Sequence, residues 1–412
     1  MTYQEAIDWL YSTQQFGIKL GLVQPRRLLR ETLAFPKPGV KVIHVAGTNG
    51  KGSTCAIIDA LARACGTKCG LFTSPHLIDY RERVRVNGKE ISEATTAQFL
   101  TEIREHVANW EHHPTFFEIT LALGMRHFRE QNCELIVLET GMGGRLDATT
   151  AVPADLAVIT PIAMDHSQWL GDTLHEIAAE KAGIIVPQKP VLSSRQQPEA
   201  HTVIEEHANE LISPIEFITT PLTGYSINLP GRHQRDNAAL ALAAAHQIGL
   251  PLNSDIVRAA LNKVSWPGRF EKLQIPNSKT QLILDAAHNP HAAETLVSTW
   301  KEEYPDKKAT IIFGAVEGKN TDKVLAILSE IAAHIHLTSI DSPRSLTAAD
   351  YKSALPNNIP HTLHHDLSQL IQHSLFNIQH SQAELVLVCG SIFLIGQAKA
   401  LLTGTSTRTS NQ

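Results

Sequence analysis

A glycine-rich segment between a strand pattern and a helix pattern narrows the choice of fold for this chain more than any other feature. Residues 40–46 have the apolar pattern of a buried strand, residues 46–54 read Ala-Gly-Thr-Asn-Gly-Lys-Gly-Ser-Thr, and residues 55–64 have a helical pattern. Glycines allow several backbone N–H groups to point into one cavity, and the start of a helix adds partial positive charge there. The segment is therefore predicted to bind phosphate, with Lys51 on the β- and γ-phosphates and the Ser53 hydroxyl on Mg²⁺.

The spacing within this loop differs from the usual G-x-x-x-x-G-K-[ST] motif, because Gly52 stands between Lys51 and Ser53. The alternative interpretation is a tight glycine turn that contains a lysine by chance. The strand, the loop, the lysine, the hydroxyl and the helix nevertheless occur in the order that a phosphate loop requires, and this order favours phosphate binding.

Short, almost continuously apolar segments alternate with helical patterns along the rest of the chain. Strands that are apolar on both faces and alternate with helices are typical of a parallel α/β sheet. In the first part of the chain, further strands are predicted at 134–139, 154–160 and 190–193, and helices at 115–129, 174–183 and 236–249.

A connection rich in Pro, Gly, Asn and Ser at 265–278 interrupts this alternation, and we place a domain boundary near 275–280. The first domain is predicted to span 1–276, a smaller α/β domain 280–402, and a disordered tail 403–412. The smaller domain is predicted to contain strands at 281–285, 308–313, 335–338 and 384–389, and helices at 291–303, 321–333, 366–377 and 392–402.

The overall composition argues against several classes of protein. The chain has 412 residues and a formal net charge of −5, whereas nucleic-acid binding requires a basic surface. The first residues do not have the pattern of a signal peptide, and no apolar run approaches the ~20 residues of a membrane span. Cys65 and Cys69 lack a second pair that would complete a zinc site. We expect a cytoplasmic protein that binds neither nucleic acid nor membrane.

Polar side chains follow two later apolar runs of the predicted sheet. Glu139 ends the run 135–139, and Asp165 and His166 follow the run 156–160. Ligands collect at the carboxyl ends of strands in such a sheet, where a carboxylate suits Mg²⁺. A helix-cap partner is the alternative for Glu139, and a structural histidine is the alternative for His166. Because three strands deliver polar groups to the same edge, we favour a ligand-binding site.

Lys181 lies in the largely apolar segment 177–185. A buried lysine is costly unless it is paired or modified. The alternative is a lysine whose ammonium group reaches the solvent along the helix surface.

Several of these segments together resemble a known family. Residues 44–53 and the sequence Thr-Ser-Pro-His-Leu at 73–77 are similar to the two signatures of the folylpolyglutamate synthases, in the Mur ligase superfamily. The resemblance runs from a helix predicted at the start of the chain, where Thr2 and Glu5 form a capping-box pattern, to about residue 400. Further similar segments are 139–148, 165–166, 170–173, 180–184, 233–234, Asn237, 267–270, 285–290 and 389–391.

The resemblance implies a P-loop-containing, Mur-ligase-like ATPase domain with a parallel sheet, followed by a smaller Rossmann-like α/β domain. It implies an ATP-dependent ligase that adds L-glutamate to dihydropteroate, to the glutamate tail of tetrahydrofolates, or to both, through an acyl phosphate. ATP would be a co-substrate, and two Mg²⁺ ions, with K⁺ as a further candidate, would be the cofactors. The expected partners are small molecules, namely ATP, L-glutamate, dihydropteroate and reduced folates, and the expected state is a monomer.

The resemblance also implies roles for individual residues. The metal ligands would be Ser53, Ser74, Glu139, His166 and a carbamylated Lys181, and the catalytic group would comprise Lys51, Lys181, His166 and Glu139. ATP would be bound by Asn49, Gly50, Lys51, Gly52, Ser53, Asn237, Arg269, Asp285, His288 and Asn289. The pterin-bearing substrate would be bordered by Phe16, Gly17, Ile18, Lys19, Phe117, Glu118, Gly144 and Arg145.

Two segments depart from the family pattern. Thr150 stands where the family usually has asparagine, so this chain lacks that amide. The loop 314–320 has Gly318 and Asn320 around Lys319, where Asp-Lys-Asp is frequent. This second departure weakens any role of the loop in domain closure or glutamate binding.

Other functions fit these residues less well. A Mur-type ligase that acts on a UDP-linked carboxylate shares the chemistry, but such enzymes carry an additional N-terminal domain, and the phosphate loop begins here at residue 47. A P-loop ATPase without ligase activity would not need the segment 16–20 or Asp285. An inactive paralogue would not need the intact metal-binding positions. Within the family, the resemblance favours the bifunctional bacterial type.

Overall fold

The computed structural model of the chain describes residues 1–17, 19, 21–165, 167–274, 280–342, 344–347, 350–351, 354–355, 359–364, 367–368, 370, 385–405 and 407. Within these ranges the strands form two sheets, one of eight strands and one of six.

The first sheet has the strand order β4-β3-β2-β5-β1-β6-β7-β8. Neighbouring strands are parallel from β2 across to β8, and β3 and β4 are added antiparallel at one edge. The strands are β1 (Lys41–Ala46), β2 (Cys69–Phe72), β3 (Val84–Val86), β4 (Lys89–Glu90), β5 (Leu135–Glu139), β6 (Leu156–Ile159), β7 (Val191–Ser194) and β8 (Ile215–Ile218).

Helices cover both faces of this sheet, so the central strands are buried on both sides. Along β1, Val42 packs into one core while Ile43 and Val45 pack into the other, as the alternation of side chains along a strand requires. The helices are α1 (Tyr3–Ser12), α2 (Val23–Glu31), α3 (Lys51–Ala64), α4 (Glu93–Val107), α5 (Phe116–Glu130), α6 (Ser167–Leu170), α7 (Leu174–Ala182), α8 (Pro198–Glu210), α9 (His233–Gln247) and α10 (Ser254–Lys263). Short 3₁₀ helices occur at Thr13–Phe16, Tyr80–Arg83 and Ala148–Ala151.

The second sheet has the strand order β13-β12-β11-β14-β10-β9, with β9 as an antiparallel edge strand. Its two faces pack into separate cores. The strands are β9 (Glu271–Gln274), β10 (Gln281–Leu284), β11 (Ala309–Phe313), β12 (Ala332–Thr338), β13 (His361–His364) and β14 (Leu385–Cys389), and the helices are α11 (Pro290–Glu303), α12 (Thr321–Leu328) and α13 (Ile392–Thr403).

The predicted class of fold, parallel α/β sheets covered by helices, is confirmed. The helix predicted at 321–333 is too long, because α12 ends at Leu328 and β12 begins at Ala332. The second sheet begins with β9, upstream of the boundary that we predicted at 275–280. Most of the predicted helix 366–377 and of the predicted tail 403–412 lies outside the described residues.

The five cysteines are free thiols, and four of them are buried. Within the described ranges, no helix has both the length and the apolar content that crossing a membrane requires.

Candidate active site

The carboxyl ends of the parallel strands in both sheets open into one cavity of about 370 Å³. The loops after β1, β2, β5 and β6 line it from the first sheet, and the loops after β10, β11 and β14 line it from the second. This is the edge of an α/β sheet at which ligands usually bind. The predicted site residues that line the cavity are Gly17, Lys19, Asn49, Gly50, Lys51, Gly52, Ser53, Ser74, Phe117, Glu118, Glu139, Lys181, Asn237, Arg269, Asp285 and His288.

The glycine-rich loop joins the end of β1 to the start of α3, as its sequence predicts. Gly50 precedes the helix with a φ of 87°, a left-handed conformation that glycine adopts without strain. Lys51 is the first helical residue, and its Nζ donates hydrogen bonds to the carbonyl oxygens of Gly47 (3.0 Å) and Thr48 (3.2 Å). The ammonium group therefore folds back over the loop, at the position where phosphate oxygens are expected.

The additional glycine of the loop has a structural reason. A Cβ added to Gly52 would lie 2.7 Å from Nε1 of Trp266, which is closer than side chains pack. Gly52 therefore allows the indole to pack against the first turn of α3, where any side chain at position 52 would collide with it.

Helix α9 holds the hydroxyl of Ser53 through two buried amides. Nε2 of Gln234 donates to Oγ of Ser53 (3.4 Å), and Nδ2 of Asn237 donates to Oε1 of Gln234 (3.0 Å). A Cβ added to Gly50 would lie 2.6 Å from Oδ1 of Asn237, so this amide also contacts the loop. Gln234 lies in the family-like segment 233–234, but no local sequence pattern indicates that its amide contacts Ser53.

Glu139 and Ser74 meet at the ends of β5 and β2. Oε2 of Glu139 accepts a hydrogen bond from the backbone N–H of Ser74 (3.0 Å). The carboxylate is only 5% exposed, and burial raises its pKa, although the positive charges of Lys51, Arg269 and Arg83 oppose the rise. A carboxylate and a serine hydroxyl that line the same cavity are oxygen groups that a hard cation prefers.

Lys181 is 4% exposed, so it does not extend along the helix surface to solvent. Its Nζ donates a hydrogen bond to the carbonyl oxygen of Gly47 (2.9 Å). Burial, followed by repulsion from Lys51, lowers the pKa of Lys181 to about 7. His166, the remaining predicted metal ligand of the first sheet, lies outside the described residues.

Side chains at the carboxyl end of β10 reach the same cavity from the second sheet. The carboxylate of Asp285 accepts hydrogen bonds from the backbone N–H groups of Phe270 (2.8 Å) and Ala287 (2.9 Å). Burial raises the pKa of Asp285, and the nearby guanidinium of Arg269 opposes this rise. Asp285 thus connects the segment that carries Arg269 to the second sheet.

Asn289 joins the two halves of the site. It caps α11, and its Nδ2 donates to Oδ1 of Asn49 (3.3 Å) and to Oδ2 of Asp165 (3.2 Å). Nε2 of His288 lies 3.4 Å from the same carboxylate oxygen of Asp165. The phosphate loop and the loop after β6 therefore both contact the second sheet directly.

Lys319 forms a second link between the sheets. Its Nζ lies 2.7 Å from Oδ1 of Asp165, and the side chains of Lys319 and Asp165 are only 10% and 8% exposed. The loop after β11 therefore reaches the site although Gly318 and Asn320 depart from the family pattern. No local pattern indicates that these two residues form a pair, because they are 154 positions apart.

Part of the predicted substrate border also lines the cavity. Phe117 and Glu118 line it from the start of α5, where Glu118 closes a capping box with Thr115. Phe16 stacks on His113 with ring centroids 4.6 Å apart, and Nζ of Lys19 lies 5.4 Å from the Phe16 ring centroid. Ile18 lies outside the described residues.

Gly144 and Arg145 are not brought to this border. Gly144 packs against α7, because an added Cβ would lie 2.6 Å from the carbonyl oxygen of Glu180. Arg145 is largely exposed and pairs with Glu180 at 2.6 Å. Thr150 donates a hydrogen bond to the carbonyl oxygen of Gly144 (2.7 Å), so its hydroxyl supports this turn.

Comparison with known proteins agrees with this architecture. The family model of the Mur ligase middle domain matches residues 45–217, and that of the Mur ligase glutamate ligase domain matches residues 268–392. A dihydrofolate synthase/folylpolyglutamate synthase of Bacillus subtilis is 32% identical over 97% of this chain and 99% of its own length. The Escherichia coli protein of the same name is 32% identical over 96% of this chain and 94% of its own length.

Solved structures show the same fold. The structure of E. coli FolC in complex with DHPP and ADP has a TM-score of 0.85 and 31% identity, and the match covers 97% of this chain and 98% of that one. A bifunctional folylpolyglutamate synthase/dihydrofolate synthase with Mn, AMPPNP and L-glutamate bound has a TM-score of 0.85 and 32% identity, with the same coverage. The chain therefore belongs to the dihydrofolate synthase/folylpolyglutamate synthase family of the Mur ligase superfamily.

Proposed function

We propose that this chain is an ATP-dependent ligase that adds L-glutamate to dihydropteroate and to the glutamate tail of reduced folates. The observation that carries this proposal is the convergence on one cavity of the phosphate loop, the oxygen groups of Ser53, Ser74 and Glu139, and Asp285 from the second sheet. Family membership supports the same activity.

The reaction requires activation of a carboxylate. At neutral pH an amine does not displace oxide from a carboxylate, because oxide is a poor leaving group. Transfer of the γ-phosphoryl group breaks its bond to ADP and forms a bond to a carboxylate oxygen. The glutamate amine then attacks the acyl carbon, loses a proton, and inorganic phosphate leaves. The protein supplies position and charge, with Lys51 beside the phosphoryl oxygens, and no nucleophilic side chain is needed.

The oxygen groups in the cavity fit Mg²⁺. Among the described residues, no group of three or more His, Cys, Asp and Glu side chains could hold a metal ion. The proposed metal ligands therefore include hydroxyl groups of the protein and phosphate oxygens of the nucleotide. We assign Ser53, Ser74, Glu139 and His166 to two Mg²⁺ ions, with K⁺ as a further cation. When bound, these ions neutralise charge on the phosphoryl oxygens.

We assign to Lys181 the role of a carbamylated ligand. With a pKa of about 7, part of its amine is neutral at physiological pH. A neutral amine adds to CO₂, forming an N–C bond and releasing one proton, and the product is an anionic carbamate. This change converts a buried cation into an oxygen ligand, which removes the cost of burying the ammonium group beside Lys51.

Substrates are assigned to the two walls of the cavity. The wall with Lys19, Phe117 and Glu118 receives the pterin-bearing carboxylate, and Asn237, Arg269 and Asp285 hold ATP. We further propose that the two sheets belong to two domains, divided between α10 and β9 rather than at 275–280, in a cytoplasmic monomer whose partners are small molecules rather than nucleic acid.

The test is phosphate release from ATP and Mg²⁺ with L-glutamate, comparing dihydropteroate with tetrahydrofolate. Turnover with both substrates supports the bifunctional assignment, and turnover with one restricts the activity to that substrate. Lys51→Met should abolish turnover, whereas Lys89→Met, which changes an exposed lysine, should not. A folded protein that binds ATP but releases phosphate with neither substrate contradicts the proposal.

A further inference from the structure

Three histidines share one face of the strands β12 and β13, outside the candidate active site. His334 and His336 alternate along β12, and His364 ends β13, where it pairs in register with Thr338. Side chains two positions apart on a strand point to the same face, so the three imidazoles lie on one side of the sheet. The intervening Ile335 packs into the core on the other side. None of these three described histidines lines the cavity, and the reaction proposed above does not use them.

Two of the rings present nitrogen atoms to each other. Nδ1 of His336 lies 3.0 Å from Nε2 of His364, with the ring centroids 5.1 Å apart and the ring planes at 58°. Two nitrogens that each bind one Zn²⁺ ion at about 2.0–2.1 Å lie about 2.9 Å apart at a right angle and about 3.4 Å apart at the tetrahedral angle. The observed separation falls within this range, so a small rotation of the rings allows both nitrogens to bind one ion.

Without a metal, the same distance is that of an N–H···N hydrogen bond, in which one nitrogen donates and the other accepts. The proton of a neutral imidazole can occupy either ring nitrogen. If it moves to the outer nitrogen of the donor ring, both facing nitrogens have free lone pairs. A metal ion can therefore replace the hydrogen bond without removing a proton from a neutral pair, and neutral imidazole is the form in which histidine binds metals.

His334 belongs to the same cluster but faces another group. Its ring centroid is 4.6 Å from that of His336, whereas its Nε2 lies 2.9 Å from Oγ1 of Thr362. In the part of the chain that the structure describes, no three His, Cys, Asp and Glu side chains converge as a closed metal site requires. The pair thus provides two protein ligands, and water completes the coordination. All three histidines are partly exposed, so ions reach the pair from solvent.

We propose that His336 and His364 form a binding site for one exchangeable late transition-metal ion, of the group Zn²⁺, Ni²⁺ and Cu²⁺ that imidazole prefers. The ion joins β13, the last described strand at this side of the second sheet, to its neighbour β12. An ion that binds only the folded arrangement stabilises it, so the site strengthens this edge of the sheet. Mg²⁺ prefers oxygen ligands and does not compete for the pair.

Substitutions that keep a polar atom but remove the imidazole test the pair. His336→Asn places an amide near the position of Nδ1, and His364→Gln places one near the position of Nε2, so a polar contact between the strands can persist. His334→Gln is the matched control, because this ring lies in the same cluster and its Nε2 faces Thr362. Zn²⁺ binding is measured by calorimetry in excess Mg²⁺, which occupies sites built from oxygen ligands. Thermal unfolding is recorded with and without Zn²⁺.

We expect His336→Asn and His364→Gln each to raise the dissociation constant of Zn²⁺ by about 10–100-fold, the range found when even an outer-shell partner of a metal ligand is removed. The double variant should bind little more weakly than either single variant, because the loss of one ligand already ends chelation. Zn²⁺ should raise the Tm of the wild type and of His334→Gln, and it should not raise the Tm of the variants of the pair.

A wild type that binds no Zn²⁺ in excess Mg²⁺ would overturn the proposal. Equal affinities of the wild type and both variants of the pair would also overturn it, because the ion would then bind elsewhere among the 21 histidines. A loss with His334→Gln as large as that with His336→Asn would remove the assignment to this pair. If one variant of the pair does not fold, the other decides between the same outcomes. The measurement needs neither nucleotide nor folate, so its result is independent of the proposed ligase activity.

Discussion

Lys51 and Lys181 donate hydrogen bonds to the same acceptor, the carbonyl oxygen of Gly47, at 3.0 and 2.9 Å. Two ammonium groups at one carbonyl repel each other, and Lys181 is the more deeply buried of the two. Burial and this repulsion lower the pKa of Lys181 to about 7. The structure thus places a readily deprotonated amine beside the phosphate loop.

The first prediction concerns the stability of the unmodified chain in CO₂-free buffer. The pKa of Lys181 falls from 10.5 to about 7 on folding, so between these values the unfolded chain binds more protons and the contribution of Lys181 to stability rises with pH. The stability of Lys181→Met relative to the wild type should therefore be greater near pH 6 than near pH 10. The change in this difference should be on the order of 4 kcal/mol. Urea unfolding at several pH values measures this difference.

Lys89→Met, which removes an exposed lysine, is the matched control. A constant difference in stability between Lys181→Met and the wild type from pH 6 to pH 10 would show that Lys181 is not deprotonated on folding.

The carbamate on Lys181 has its own test. Phosphate release by CO₂-depleted enzyme should fall and recover with added bicarbonate, whereas Lys181→Met should not respond.

The second prediction concerns Glu139→Gln. Burial raises the pKa of Glu139, so its contribution to stability is lost as the pH rises through the raised value. The neutral amide should therefore stabilise the metal-free protein at pH 7, by about 1–3 kcal/mol. Addition of Mg²⁺ and ADP at about 100 times the dissociation constant should stabilise the wild type by about 2.7 kcal/mol and the variant by much less.

Thermal unfolding of Glu139→Gln and the wild type, with and without Mg²⁺ and ADP, measures both effects. These are the higher stability of the metal-free variant and its smaller stabilisation by the metal and nucleotide. Glu216→Gln, on the exposed side of β8, is the control and should leave the effect of Mg²⁺ and ADP unchanged. Equal stabilisation of wild type and Glu139→Gln by the metal and nucleotide would remove Glu139 from the set of metal ligands.

The sequence predicted the interior of both sheets better than their edges. β1, β5, β6 and β14 are buried along nearly their whole length and appear as continuous apolar runs. The strands β8, β9 and β13 are edge strands with exposed residues, so an apolar run was not available to predict them.

Local sequence patterns predicted part of the site, whereas contacts between distant positions could not be predicted from them. Lys51 and Ser53 follow from the order of strand, loop and helix around them. The contact of Gln234 with Ser53 joins residues 181 positions apart, and no local pattern indicates it. Gly144, which the family resemblance places at the substrate border, packs against α7, and this contact also joins segments that no local pattern relates.

The third prediction concerns the ion pair between Asp165 and Lys319, which joins the two sheets and is nearly inaccessible to solvent. Removal of one partner leaves a buried charge, so Asp165→Asn and Lys319→Met should each destabilise the protein by about 3 kcal/mol. The double variant should lose less than the sum, with a coupling of about 2 kcal/mol. Urea unfolding of the four proteins gives this coupling.

The control cycle uses Lys301 and Glu330, which lie 2.6 Å apart within the second half of the chain but are 57% and 53% exposed. Their coupling should be below about 1 kcal/mol, because solvent screens exposed pairs. If the two cycles gave the same coupling, the cross-sheet pair would contribute no more than a surface contact.

The fourth prediction concerns Gly52, whose added Cβ would lie 2.7 Å from Nε1 of Trp266. Gly52→Ala must displace either the indole or the first turn of α3, and overpacking of this kind costs about 1–3 kcal/mol. Because Lys51 and Ser53 flank this position, ADP affinity should fall together with stability. Trp266→Leu should restore part of both in the double variant, although on its own it opens a cavity and destabilises the protein. Gly52→Ala with wild-type ADP affinity, or a double variant no better than Gly52→Ala, would show that the glycine is not required by the indole.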